Sequence, residues 1–322
     1  MAQGKADNTI SNVLENTPLD DSFYDLDRQE LVFFQSQTGI QDEAALKAHI
    51  SKIQADAYDV WPLPRSNNLC SLLPWQVHPY PCIRRFAFTK LKVSRLPAYG
   101  QLLKLGKERK GAIFLDIGCC FGNDVRKAIV DGYPIENAIA SDLEADFWRL
   151  GHQLFTSTAE TFPVPFLPGD AFNADFLKPV PPFYAPPETP RPDLRSLTAL
   201  TPLLGHVSAI HASSFFHLFD EEQQLQLARS VAGLLSPEPG SVIFGAQGGC
   251  AEKGPRVEVP GVKPIRSHMF RHSPESWTEL WDGTVFEKGK VKVEASLYQV
   301  DSALLKREGS TLTGMVWSVT RL

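Results

Sequence analysis

The chain has 322 residues and a formal net charge of −5, with acidic and basic side chains interspersed along it. No block of Lys and Arg is present of the kind that neutralises phosphates, so the composition argues against nucleic acid as a partner. The first residues lack the apolar core of a signal peptide, and no later run reaches the length of a membrane span. We therefore expect a soluble, cytoplasmic protein with no membrane partner.

The five cysteines are odd in number and include no C-x-x-C pair. This count argues against both a disulfide framework and a thiolate zinc site, and we expect no metal.

The N-terminal part of the chain predicts an extension and a helical cap, residues 1–110. Residues 1 to about 25 are polar, and the apolar spacing that follows predicts helices over residues 28–35 and 42–58. Residues 60–76, VWPLPRSNNLCSLLPWQ, have three prolines, two tryptophans and no periodicity. Two interpretations stay open for this stretch, namely an insertion from a retained intron and an ordinary proline-rich loop.

Residues 111–322 predict an α/β domain that starts with AIFLDIGCCFGNDVRK at residues 112–127. This stretch reads as a buried parallel strand, a glycine-bearing loop and the start of a helix. Further strands are predicted at residues 138–142, 163–167, 242–246, 290–298 and 313–320, and residues 207–219 predict a buried fourth strand with its exit loop. Helices are predicted near residues 97–105 and at 124–131, 143–158, 220–235 and 273–281.

Candidate ligand-binding residues lie where three successive strands end. The first strand contains Asp116 near its end, and the loop that follows contains Gly118, Cys120 and Gly122. A pyrophosphate-binding loop requires G-x-G-x-x-G, and this spacing departs from it. Asp142 ends the second strand, where an acid can accept hydrogen bonds from ribose hydroxyls. The remaining candidates are Leu143 beside it and Asp170, Ala171 and Phe172 after the third strand.

The loop resembles the E/D-x-G-x-G-x-G loop of class I S-adenosylmethionine-dependent methyltransferases, with Cys120 in place of the middle glycine. Five blocks strongly resemble fungal methyltransferases of meroterpenoid and related polyketide-terpenoid pathways. They are FQSQTGIQDEAALKAHI (34–50), HPYPCIRRFAF (78–88), FLDIGCCFGNDVRK (114–127), SDLEADFWRLGHQLF (141–155) and FLPGDAF (166–172).

The resemblance implies a Rossmann-like, mostly parallel seven-stranded sheet flanked by helices, with S-adenosylmethionine as cofactor. It also implies methyl transfer to an oxygen of a small fungal metabolite, often a carboxylate that becomes a methyl ester. The acceptor is then a terpenoid or polyketide-derived acid or phenol, and the sequence leaves a homodimer open.

Candidate acceptor-side residues follow the fourth strand in HASSFFH. His211 or His217 is a candidate base for a hydroxyl acceptor, because imidazole titrates near neutral pH, whereas a carboxylate acceptor needs no base. Arg84 and Arg85 are candidates for clamping an acceptor carboxylate. Aromatic candidates for an apolar substrate pocket are Trp148, Phe215 and Phe216, with His268, Phe270 and Trp277.

Two other functions share parts of this pattern. A nicotinamide-dependent reductase also uses a β-α-β unit with a ribose-binding acid, although the dinucleotide glycine spacing is missing. A methyltransferase fold without catalytic activity, acting as a binding protein, is the other alternative.

Overall fold

The computed structural model describes residues 19–59, 81–255, 269–300 and 313–322. Helices within these ranges are α1 (Arg28–Thr38), α2 (Glu43–Asp59), α3 (Pro81–Arg84), α4 (Tyr99–Glu108), α5 (Asn123–Val130), α6 (Ala145–Leu154), α7 (Glu221–Leu234) and α8 (Pro274–Trp281). Strands are β1 (Ile113–Ile117), β2 (Ala138–Asp142), β3 (Phe166–Pro168), β4 (Val207–His211), β5 (Val242–Gly248), β6 (Gly254–Pro255), β7 (Phe270–Arg271), β8 (Val291–Gln299) and β9 (Thr313–Arg321).

Seven strands form one sheet in the order β3-β2-β1-β4-β5-β9-β8. Strands β1 to β5 pair in parallel, whereas β9 is antiparallel to both β5 and β8. Every residue of β1 and β4 is buried, as expected for central parallel strands covered on both faces. The predicted class I methyltransferase sheet, with its closing antiparallel hairpin, is confirmed.

The strand order places the functional loops together. From β1 the chain adds β2 and β3 on one side and β4 and β5 on the other. The carboxyl ends of β1 and β4 therefore flank the crevice in which open α/β sheets bind ligands. Among the described residues no helix combines the length and the apolar character needed to cross a bilayer.

The N-terminal helices form a cap, defined here as residues 19–59 and 81–96, which packs on α6. Phe34 stacks on Phe155 just after that helix, with ring centroids 5.5 Å apart. His49 Nε2 lies 2.9 Å from the carbonyl oxygen of Leu154. One buried apolar cluster contains cap residues together with α6 and Phe121 of the loop after β1. The cap is therefore continuous with the core near that loop.

Two predicted elements are shorter or shifted in the structure. The helix predicted over residues 143–158 ends at Leu154, and Thr156 has a positive φ of 47° that a continuing helix does not allow. The strand predicted at residues 163–167 runs over Phe166–Pro168, because Pro163 and Pro165 lack the N–H groups that a strand pair needs. Residues 60–76, with the question of the insertion and with Cys70, lie outside the described residues, as does His268.

Candidate active site

The loop after β1 is built by glycines at two positive-φ positions. Gly118 has φ +72° and Gly122 has φ +75°, a conformation that L side chains rarely adopt. A Cβ atom on Gly122 would lie only 2.6 Å from the Trp148 ring. Cys120 between them also has a positive φ, 51°, which marks a strained backbone. The loop thus needs glycine at both ends and tolerates a side chain in the middle.

Four backbone N–H groups of this loop are hydrogen-bonded within the protein. Gly118 and Cys119 both donate to the carbonyl oxygen of Ser141, at 2.8 and 3.2 Å. Cys120 donates to Oδ2 of Asp142 at 2.8 Å, and Gly122 donates to the carbonyl oxygen of Cys119 at 2.8 Å. A phosphate-binding loop directs such groups at its ligand. Here the N–H groups of Gly118, Cys119 and Cys120 point to the end of β2 instead.

The two adjacent cysteines of the loop are uncharged packing residues. Burial raises the pKa of both the Cys119 and the Cys120 thiol well above the ordinary value, and nearby Asp142 adds to the effect. Because the thiolate is the reactive form, neither side chain has the environment of a nucleophile.

Asp142 ends β2 and anchors the loop. Its Oδ1 accepts a hydrogen bond from the backbone N–H of Glu144 at 3.1 Å, while Oδ2 holds Cys120. Burial raises the pKa of this carboxyl, and the hydrogen bonds from Glu144 and Cys120 oppose the rise. The next side chain, Leu143, is 53% exposed and presents an apolar surface beside the acid.

Asp170, Ala171 and Phe172 lie after β3, next to Asp142. Oδ1 of Asp170 accepts the backbone N–H of Phe172 at 2.9 Å, and Gly169 donates to the carbonyl oxygen of Asp142 at 3.0 Å. All three side chains are half-buried, and the Phe172 ring packs edge-on against Phe219. The structure thus brings the predicted residues of three strand ends to one edge of the sheet.

A buried polar chain runs from β1 to the end of β4. His211 Nδ1 lies 2.8 Å from Oδ1 of Asp116, and its Nε2 lies 2.7 Å from the hydroxyl oxygen of Ser213. Burial by itself lowers the pKa of His211, but the charge of Asp116 and its hydrogen bond raise that pKa overall, with help from Asp124. Oδ2 of Asp116 is buried and has no hydrogen-bond partner among the described residues.

A cavity of about 50 Å³ opens beside this chain. Asp116, His211 and Ser213 line it together with the loop after β1 and with Lys92 and Asp124. Sequence reasoning did not find Lys92, Asp124 or Ser213. The sequence signal for Lys92 was its position between two apolar residues in FAFTKLKV. That pattern does not distinguish a lysine in a site from one on the protein surface.

The residues predicted to contact the acceptor lie at different distances from the loop after β1. The half-buried Phe215 ring covers Gly118, since a Cβ atom there would lie 3.1 Å from it. His217 is half-buried, and the N–H of Gly248 points at its Nδ1 from 3.5 Å. Arg84 ends α3 half-buried and Arg85 is exposed, and neither lines the cavity beside Asp116.

Several aromatic candidates for the substrate pocket are packed against other rings. Phe216 is fully buried among the rings of Trp277, Trp281 and Trp317, so no face of it is available to a ligand. Trp148 is 8% exposed, lies against Gly122 and stacks on Phe166. Trp277 belongs to the same core as Phe216, and Phe270 is half-buried in β7. That Phe216, Trp148 and Trp277 wall a substrate pocket stays a prediction, and their burial favours a packing role.

The polar groups at these strand ends suit an organic cofactor that has no phosphate chain. Among the described residues no group of three or more His, Cys, Asp or Glu side chains is placed to hold a metal. Asp116 offers an unpartnered buried oxygen, Asp142 offers a carboxylate at a strand end, and Leu143 offers an apolar surface. A ligand with an ammonium group, two hydroxyls and a flat ring would find a partner for each, and S-adenosylmethionine has all three.

Known proteins with similar sequences are fungal methyltransferases. A family model described as the meroterpenoid methyltransferase N-terminal domain matches residues 20–65. O-methyltransferase phiE of Fungal sp. (strain ATCC 74256) is 34% identical over 73% of this chain and 69% of its own length. The chain belongs to the fungal methyltransferases of meroterpenoid biosynthesis.

Two further relatives extend the similarity. Methyltransferase ausD of Penicillium brasilianum is 30% identical, covering 72% of this chain and 73% of the relative. The Asnovolin E/Chermesin D methyltransferase nvfJ of Aspergillus novofumigatus (strain IBT 16806) is 32% identical, covering 67% of this chain and 68% of the relative. This protein is accordingly an enzyme, a methyltransferase of class I fold, and S-adenosylmethionine is the methyl donor that its family implies.

Proposed function

We propose that this protein transfers a methyl group from S-adenosylmethionine to an oxygen of a small terpenoid or polyketide-derived metabolite, and that the oxygen belongs to a carboxylate. The product is then a methyl ester. The observation that carries the choice of cofactor is the internal bonding of the N–H groups of Gly118, Cys119 and Cys120. With these three donors used, fewer N–H groups of the loop are left to bind a pyrophosphate, and this disfavours the nicotinamide reductase.

In this proposal each part of the cofactor has its own partner. Asp142 accepts hydrogen bonds from the ribose hydroxyls, as acids at the end of the second strand do in nucleotide-binding sheets. Leu143 packs on one face of the adenine, and Asp170, Ala171 and Phe172 border its edge. The half-buried Phe215 lies over Gly118 and closes the site toward solvent.

The environment of His211 supports a carboxylate acceptor. Both ring nitrogens lie within hydrogen-bond distance of protein groups, Asp116 and Ser213, and the ring is 2% exposed. A histidine held this way is poorly placed to take a proton from a hydroxyl acceptor. A carboxylate acceptor is ionised already and needs no base.

S-adenosylmethionine supplies an activated methyl group on a sulfonium. The task of the protein is then to hold the acceptor oxygen in line with that methyl and to exclude water, so that a cation and an anion react to give neutral products. Arg84 and Arg85 remain predicted acceptor residues, and His217 remains the predicted base if the acceptor is a hydroxyl. A homodimer also remains a prediction.

Two measurements test the proposal. Isothermal titration of the wild type with S-adenosylhomocysteine and with NADPH should give binding of the first ligand only. Incubation with S-adenosylmethionine and terpenoid acids, each paired with its reduced alcohol, should add one CH₂ to the mass of the acid only. Binding of NADPH alone would favour the reductase, methylation of the alcohol alone would favour a hydroxyl acceptor, and cofactor binding without turnover would favour a binding protein.

A further inference from the structure

Arg271 in β7 lies over the carboxyl end of β5, at the sheet edge that holds the candidate site. A Cβ atom on Gly248, the last residue of β5, would lie 3.7 Å from Cδ of Arg271 and 4.0 Å from Cγ of His217. Because β5 pairs in parallel with β4, its carboxyl end lies beside the loop that follows β4. That loop also carries Phe215, the ring that covers Gly118.

The guanidinium of Arg271 has a nitrogen without a partner. Its Nε is buried and forms no hydrogen bond with any of the described residues. Within the part of the chain that the structure describes, no carboxylate lies within 4.0 Å of this guanidinium, whereas Lys253, just before β6, pairs with Glu221 at 2.8 Å. A buried polar group without a partner is costly, so a ligand that accepts hydrogen bonds would be stabilised here.

The backbone of β7 is held in place, which fixes the point from which Arg271 extends. The backbone N–H of Phe270 donates to the carbonyl oxygen of Phe219 at 3.0 Å. The buried side-chain amide of Gln224 donates to the carbonyl oxygens of both phenylalanines, each at 2.9 Å. The arginine is therefore anchored to the start of α7 and to the loop after β4.

An aromatic wall, defined here as Phe172, Phe215 and Phe219, leads from the cofactor loop to Arg271. The ring of Phe219 lies 5.8 Å from that of Phe215 and 4.8 Å from that of Phe172, measured between centroids. All three side chains are half-buried, so part of each remains accessible. Apolar aromatic surface beside one fixed polar group is the usual composition of a small-molecule site.

We propose that Arg271 binds the carboxylate of the acceptor while the apolar skeleton of that acceptor packs on the aromatic wall. This inference rests on the proposed function, because it names the residue that recognises the acceptor of that reaction. A guanidinium presents pairs of N–H donors that match the two oxygens of a carboxylate.

The assignment has a consequence for the product. In the transfer, a bond forms between a carboxylate oxygen and the methyl carbon, and the bond from that carbon to sulfur breaks, with its electron pair passing to sulfur. The methyl ester that results is neutral, so Arg271 holds the product less tightly than the acid.

Two sets of probes that differ only at the oxygen group test the proposal. They are farnesoic acid, farnesol and methyl farnesoate, and abietic acid, abietol and methyl abietate. Each is titrated calorimetrically into protein saturated with S-adenosylhomocysteine. The wild type should bind at least one acid more tightly than its alcohol and its ester. Arg271→Met should weaken that acid by about 10- to 100-fold, the effect of losing a charge-assisted hydrogen bond, and leave the alcohol and the ester within about twofold.

Control variants separate carboxylate binding from folding. Arg229→Met removes an exposed arginine of α7 and should change no affinity. Arg271→Lys keeps the charge without the paired donors and should restore part of the affinity for the acid. Thermal melting of each variant shows whether the fold is retained, and unchanged binding of the alcohol reports an intact pocket.

Three results would overturn the proposal. The first is a wild type that binds neither acid more tightly than its alcohol. The second is an equal loss of acid, alcohol and ester in Arg271→Met, which would assign the arginine to packing. The third is a preference for the acid that survives in Arg271→Met and disappears in Arg84→Met or Arg85→Met. Failure of the proposed function is visible separately, because the acid would then bind through Arg271 and gain no methyl group with S-adenosylmethionine.

Discussion

Asp142 is the residue on which the loop and the proposed cofactor site both depend. Its two oxygens accept backbone N–H groups from Cys120 and Glu144, and each carboxylate oxygen has a further lone pair for a ligand hydroxyl. The side chain is therefore fixed in orientation before any ligand arrives.

We predict that Asp142→Asn weakens S-adenosylhomocysteine binding by at least about tenfold, because hydrogen bonds to a charged acceptor are worth about 1.5–3 kcal/mol each. His217→Gln is the comparison, since His217 lies near Gly248 at the end of β5 and does not line the cavity beside Asp116. We expect it to change that affinity by less than about twofold. Isothermal titration measures both, and equal losses in the two variants would contradict the assignment of Asp142.

At the scale of elements, the turn from β1 into α5 depends on close contact with α6. Gly122 is the residue before α5, and the Trp148 ring fills the space where a side chain would be. The same tryptophan stacks on Phe166 of β3 with an interplanar angle of 9°. Trp148 thus acts on the cofactor loop through packing.

We predict that Gly122→Ala lowers the free energy of unfolding by about 2–4 kcal/mol, from the positive φ and from overpacking against Trp148. Gly132→Ala is the matched control, because Gly132 also has a positive φ, +106°, but has nothing within 4 Å of the added Cβ. It should cost only about 1 kcal/mol. Urea denaturation measures both changes in the free energy of unfolding. Similar changes at the two glycines would show that the Trp148 ring moves aside for the added methyl group at little cost.

A histidine just before α8 is buried in its neutral form. His272 lies between the rings of Phe270 and Trp277, and its Nδ1 is 2.9 Å from the hydroxyl oxygen of Ser276. Burial lowers its pKa from 6.5 to about 4, which the charge of Glu221 opposes and that of Lys253 assists.

A histidine with a lowered pKa stabilises the fold above its unfolded-state pKa of 6.5, and that contribution is lost as the pH falls through about 4. We predict that the wild type loses up to about 3 kcal/mol more of its free energy of unfolding between pH 7 and pH 4 than His272→Asn does. Urea denaturation at several pH values measures the difference. Parallel pH profiles for the two proteins would show that His272 is already protonated in the folded state.

At the scale of the whole molecule, the cap and the sheet domain share one core. Phe121 of the cofactor loop and the apolar face of α6 lie in the same buried cluster as the cap helices. The cap also has an ion-pair network around the fully buried carboxylate of Glu30, which contacts the partly exposed side chains of Lys90 and Arg95 at 2.8 and 2.7 Å. Although residues 1–110 and 111–322 were predicted as separate units, this packing couples them.

We predict that the cap and the sheet domain unfold in one transition, and that Glu30→Ala lowers its midpoint. Because Lys90 and Arg95 are partly exposed and water can solvate them in the variant, the expected loss is about 1–2 kcal/mol. Calorimetry combined with near-ultraviolet circular dichroism measures this. Lys52→Ala, which breaks an exposed pair with Asp56 on α2, should shift the midpoint very little. Two separate transitions would mean that the cap folds independently.

The sequence by itself determined the elements and their order. Apolar runs such as IFLDI and VSAIH are typical of buried parallel strands, and the carboxyl ends of such strands lie at one edge of the sheet. The positions of Asp116, Asp142 and Asp170 at the ends of β1, β2 and β3 were therefore predictable before any contact was known.

Only the tertiary structure decided which aromatic rings are core and which face the site. Phe215 and Phe216 are adjacent in sequence, yet one covers Gly118 and the other is fully buried among tryptophans. The direction of each ring depends on the positive φ of Ser214, the residue just before them. The pattern of apolar and polar residues in the sequence does not predict that angle. Lys92 and Asp116 lie 24 residues apart in the chain, and only the structure shows that both line the cavity beside His211. Charge pairing across a cavity is a property of distances in space, and these arise only when cap and sheet pack together.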